Sequence, residues 1–187
     1  MVPVRSAALR ASVIAVALLA AAPAATARHS SELDRFAALV EGDWVVDLHI
    51  APWPHHPAHD ARGSQVWNRA RNGLSIAGDL DALSSEGIVA ENMTVWWDAR
   101  AERLRGVWCA RYLDEHCAPF MVTWSGDAAV LRGRFTAGGT HYLWRQTITR
   151  SGRDSLVQTI DQGEAGDELT RQITIRATRL KLRTSVE

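Results

Sequence analysis

Residues 92–124 read NMTVWWDARAERLRGVWCARYLDEHCAPFMVTW, two apolar, tryptophan-rich runs on either side of a short polar tip. The only two cysteines of the chain, Cys109 and Cys117, bracket that tip. Apolar runs of this length, interrupted at 98–101 by a polar turn and bounded by charged residues, are the pattern of β-strands joined in hairpins. On strand alternation Trp96 and Trp97 face opposite sides, so one of them enters the barrel and the other packs outside or beneath the helix.

The same pattern extends in both directions. Upstream, Trp44, Val46, Leu48 and Ile50 alternate with Val45, Asp47 and His49, which is a strand with one buried face. Residues 52–62 hold three prolines and three histidines and read as a loop. Extended runs follow at 64–68, 74–80, 88–97, 103–112, 118–124, 129–135, 141–150, 155–161 and 168–180, with 81–87 as a connection. Glycine-containing turns at 125–127, 138–139, 151–152 and 163–167 separate the later ones. Short, regularly spaced strands with no long helical pattern among them predict a mainly β protein. The expected form is a single antiparallel meander that closes into a barrel of about eight to ten strands. Before the first strand, Ser31 is placed to cap a short helix whose Leu33, Phe36, Leu39 and Val40 share one face.

Residues 1–27 belong to a different category. Arg5 and Arg10 precede an apolar run at 11–22, and Ala25-Thr26-Ala27 has the small-x-small form of a cleavage site. This predicts a signal peptide cut after Ala27 and a mature domain of residues 28–187, periplasmic or extracellular. An oxidising compartment makes a Cys109–Cys117 disulfide the natural pairing, and so short a loop limits its entropic contribution to about 2.5 kcal/mol. The chain carries 21 basic and 21 acidic residues, and loss of Arg5 and Arg10 leaves 19 against 21, a balance of −2. Without a basic excess, a nucleic-acid partner is not expected. Nor is a transmembrane segment in the mature chain, and a monomer is the expected state.

A short helix leading into Gly42-Asp43-Trp44, the strand entry at 71–76, the strand at 87–98 ending in an aspartate turn, Trp108, and the closing strand at 172–179 together resemble the bacterial domain of unknown function family 1579. The resemblance spans essentially the whole mature chain and implies a lipocalin-like, calycin-type barrel. It transfers no catalytic residue. The cysteine hairpin and the histidine-rich loop depart from the family pattern.

Three groups of residues carry candidate chemistry. Eight tryptophans exceed what a core of this size requires, and concave aromatic sites commonly hold small molecules, so Trp44, Trp96, Trp108 and Trp124 are candidates to line a ligand cavity. The bland alternative is that they only pack. His141, Tyr142 and Arg145 lie on one strand, and an inward His141 would serve as a ligand contact, a haem ligand or a general base. His55, His56 and His59 sit close enough to offer imidazoles to a transition metal, although the neighbouring prolines favour a solvated loop. No nucleophile, paired carboxylates or cofactor motif forms a catalytic signature. The functional expectation is an exported barrel that binds a small apolar or amphipathic molecule. The alternatives are a filled barrel acting as an envelope structural or interaction module, and a haem or metal protein using His141 or the 55–59 loop.

Overall fold

The structure, a computed structural model, describes residues 22–52 and 57–181. The described residues form one helix, α1 (Ala22–Val40), and ten strands: β1 (Gly42–Ile50), β2 (His59–Arg69), β3 (Ser75–Ser84), β4 (Gly87–Asp98), β5 (Arg103–Ala110), β6 (Cys117–Ser125), β7 (Ala128–Ala137), β8 (Thr140–Gly152), β9 (Ser155–Glu164) and β10 (Thr170–Arg179). Each strand pairs antiparallel with its neighbour in sequence, and β1 pairs with β10 to close the barrel. In that closing pair Trp44 faces Arg179, Leu48 faces Ile175 and Ile50 faces Ile173. Closure leaves no unpaired edge among the described strands, which removes the usual route to edge-to-edge aggregation.

Several element boundaries differ from those read in the sequence. α1 begins at Ala22, so Ser31 lies inside the helix and not at its cap. The alanines at 22, 24, 25 and 27 favour helix, and Pro23 is tolerated in a first turn, so nothing local stops the helix at Ser31. β2 begins at His59, within the expected loop, because its first residues pair with β1 (Ile50 with His59, His49 with Asp60). Its inward positions there are Ala61 and Gly63, too small to announce a buried face. β3 continues through Ser84 for the same reason, with Ala82 inward while Asp81 and Leu83 are exposed. β5 stops at Ala110, so Tyr112 belongs to the β5–β6 loop. Residues 1–21, with most of the apolar leader run, lie outside the described residues, as do Trp53, His55 and His56.

The helix closes one end of the barrel. Phe36 meets the Trp67 ring edge-on at 5.8 Å, and the Trp124 indole N–H donates to Glu32 at 2.8 Å while Arg35 lies 3.9 Å over its ring. Arg150 donates to the carbonyl oxygens of Ala38 and Leu39 at the helix end. Trp44 donates to Val40 O at 2.8 Å and lies under the Arg179 guanidinium at 4.4 Å.

Inside the barrel, aromatic rings lie against glycines on neighbouring strands. A Cβ on Gly78 would sit 2.5 Å from the Trp67 ring, one on Gly106 2.2 Å from Phe120, and one on Gly133 2.7 Å from the Trp144 indole nitrogen. These glycines make room for rings that fill the interior. Trp108, at the centre, meets Trp144 at 5.2 Å and Phe135 at 5.4 Å in edge-to-face geometry. A chain of buried amides crosses the same space: Gln146 donates to Gln158 at 2.8 Å, and Gln158 donates to Gln65. The void left beside Gln65, Trp67, Glu91 and Gln146 is only about 10 Å³. The middle of the barrel is closed.

Candidate functional site

At the end opposite α1 the barrel opens. The end of β1, the starts of β2, β4, β8 and β10, the ends of β7 and β9 and the β5–β6 loop surround a mouth of about 430 Å³. Its lining is mostly apolar or aromatic, with Ile50, Val89, Phe135, Tyr142 and Ile173 on the wall and Tyr112 reaching over from the loop. Phe135 and Tyr142 stack with centroids 5.1 Å apart, which presents one continuous aromatic wall.

The rim is tied by specific contacts. Cys109 and Cys117 are directly opposed across β5 and β6 and form a disulfide with Cα atoms 4.0 Å apart, on the outer face of the hairpin base. Beyond them the loop 111–116 turns back, and Asp114 accepts hydrogen bonds from the amides of Gly138 and Gly139, each at 3.0 Å. Those two glycines form the two-residue β7–β8 turn with φ of +57° and +79°, a conformation that side-chain-bearing residues resist. The disulfide and the aspartate together hold the loop that carries Tyr112.

At the floor of the mouth lies Glu91, an acid in phase with the inward Met93 and Val95 and only 7% exposed. Tyr112 donates its hydroxyl to Glu91 Oε1 at 3.1 Å. Burial pushes the Glu91 carboxyl above its ordinary value, and the Tyr112 hydroxyl and the nearby Trp108 indole offset part of that rise. The Trp108 N–H stabilises the charge by proximity without a hydrogen bond of ordinary geometry to it. The Tyr112 hydroxyl is in turn pushed well up, by desolvation, by the Glu91 charge and by their hydrogen bond. Half of the Tyr112 residue stays open to solvent, so its contact with Glu91 is the part of that environment that matters most. Among the described residues Glu91 is the only carboxylate lining the mouth, and no arginine or lysine lines it.

The tryptophans named from the sequence are distributed otherwise. Trp44 and Trp124 secure the helix-closed end, and Trp108 fills the core beneath the mouth. Trp97, and not Trp96, is the member of that pair that packs against the core; Trp96 faces outward with Arg105 as its β5 partner. Their abundance reflects ring-on-glycine packing and helix docking. On β8, Tyr142 does line the mouth. His141 instead projects outward and shares a hydrogen bond with Thr136 at 3.0 Å. Arg145 also lies on the outer face, where it and Arg171 hold Asp161. His59 sits at the mouth on β2 with its Nδ1 3.1 Å from Pro57 O. Among the described residues no group of three histidine, cysteine or acidic side chains converges on a metal position.

Glu91, Phe135 and Gln162 are mouth residues that sequence reading missed. For Glu91 a signal was present, a carboxylate at the period of an apolar strand face, the pattern of a buried charge with a purpose.

A closed, lipocalin-like antiparallel barrel with one end plugged and one end open is the class that fold and site define. The chain matches no protein-family model and no curated protein sequence. Among solved structures it is similar to Rv2717c from M. tuberculosis, at 11% identity and a TM-score of 0.59 over 80% of this chain and 98% of that one. It is also similar to the S-type phycobiliprotein lyase CPES from Guillardia theta, at 8% identity and a TM-score of 0.53 over 84% and 98% of the two chains. These likenesses establish the architecture.

Proposed function

We propose that this protein is an exported binding barrel that takes a small amphipathic molecule into its open mouth. The observation that carries the reading is the contrast between a closed interior, with a void of about 10 Å³, and an aromatic mouth of about 430 Å³ floored by one buried polar group. A concave, mostly apolar site with few convergent polar groups is the usual form of a small-molecule site. That the same architecture occurs in a protein named as a phycobiliprotein lyase is consistent with this use of the fold. Export is supported by the leader-like 1–27 segment and by the disulfide, and no described helix is long and apolar enough to cross a membrane. Membership of the bacterial domain of unknown function family 1579 is a further proposal, resting on the Gly42-Asp43-Trp44 entry and the spacing of the strands.

The test is binding of an environment-sensitive apolar dye, N-phenyl-1-naphthylamine, to the wild type and to Val89→Trp, which places an indole in the mouth. Fluorescence enhancement should be lost in the variant. Dye binding at wild-type affinity in a folded Val89→Trp protein overturns the reading. The closed interior also suits a second reading, an interaction module with no internal ligand, which native mass spectrometry of protein from its own host would favour if no small mass co-purified.

A further inference from the structure

We propose that the molecule bound in the mouth carries a protonated amine on an apolar body, with Glu91 as its anionic partner and the aromatic wall as its seat. This inference rests on the mouth being the binding site and specifies the chemistry of what enters it.

The carboxylate is the starting point. Ionised, Glu91 offers about four lone-pair positions, and the described structure supplies one hydrogen bond of ordinary geometry, from Tyr112 at 3.1 Å. A buried acid so sparsely partnered is costly in the empty protein and is best stabilised by a donor that arrives with the ligand. An ammonium brings up to three donors and the opposite charge. The surroundings favour the same sign. No arginine or lysine among the described residues lines the mouth, so an anionic ligand would meet Glu91 without a guanidinium or ammonium to offset it. The walls match the remainder of such a ligand. Phe135 and Tyr142, stacked at 5.1 Å, and Tyr112 supply aromatic surface for an apolar body, and Ile50, Val89 and Ile173 complete an apolar collar. A site of about 430 Å³ admits one such molecule.

Three related naphthalenes separate the possibilities at neutral pH: 2-naphthylmethylamine, 2-naphthylmethanol and 2-naphthoate, titrated calorimetrically into the full-length mature protein. The amine should bind about tenfold or more tighter than the alcohol, and the naphthoate should bind weakest. In Glu91→Gln the preference for amine over alcohol should fall to within about threefold, because the amide preserves shape and removes charge. The ligand series reads the preference in the wild type alone, so the result does not depend on the variant folding. Equal binding of amine and alcohol, or tighter binding of naphthoate, overturns this inference and leaves the mouth as the site. Failure of all three ligands together with failure of the naphthylamine dye overturns the mouth reading, and this inference with it.

Discussion

Replacing Glu91 by glutamine should change how the stability of the barrel depends on pH. The Glu91 carboxyl is raised above its ordinary value of 4.5 in the folded protein, because it is buried and only partly compensated. Below that ordinary value both states hold the proton and the residue is neutral in its effect. As pH rises from there towards the folded-state value, the unfolded chain releases its proton while the folded chain retains it, so stability falls. Above the folded-state value the loss is complete and constant. Every tenfold difference in proton affinity between the two states corresponds to about 1.4 kcal/mol. The amide cannot ionise and can still accept the Tyr112 hydroxyl, so Glu91→Gln should match the wild type in acid below the ordinary glutamate value and exceed it in stability at neutral pH. Urea titrations of both proteins across this range, followed by tryptophan fluorescence, give the difference curve directly, and groups common to both proteins cancel in it. A difference that stays flat with pH, or a variant less stable at neutral pH than at acid pH relative to wild type, would show that Glu91 is not a buried, undercompensated acid.

Gly78→Ala places a Cβ 2.5 Å from the Trp67 ring and should cost about 1–3 kcal/mol in chemical denaturation; an unchanged midpoint would refute the ring-on-glycine account of the interior. Asp161 is nearly closed to solvent by two half-exposed arginines. Burial raises its pKa, but the hydrogen bonds and charges of Arg171 and Arg145 outweigh this and hold the value below normal. Its stabilisation is therefore present above about pH 4, the ordinary aspartate range, and lost as pH falls through the depressed folded-state value. Asp161→Asn should cost about 1–2 kcal/mol at neutral pH, after allowance for screening of the exposed guanidinium groups, and less in strong acid. Cys109→Ala/Cys117→Ala should lower stability by at most about 2.5 kcal/mol and raise amide exchange chiefly at 109–117, whereas global unfolding would show that the bond holds more than its own hairpin.

Much of this architecture was legible in the chain. The Trp44-to-Ile50 alternation and the two runs around the cysteine-bracketed tip identify strands, and local turn chemistry such as Gly138-Gly139 announces where the chain reverses. Inward positions occupied by Ala61, Gly63 and Ala82 hid the true lengths of β2 and β3, because small residues that admit a neighbour's ring or backbone carry no hydrophobic signal of their own. The histidine and arginine of β8 looked like site residues beside Tyr142, and alternation alone left open which face was inward.

By itself, the sequence determined a mainly β meander, its approximate number of strands and the pairing of its two cysteines, because these depend on period, turn residues and the count of thiols. Only the tertiary structure decided which end is closed, that Trp67, Trp108 and Trp144 fill the barrel, and that Glu91, Tyr112, Phe135 and Tyr142 meet at one mouth. Those residues come from different strands and a loop, and they converge only when β1 and β10 close the ring.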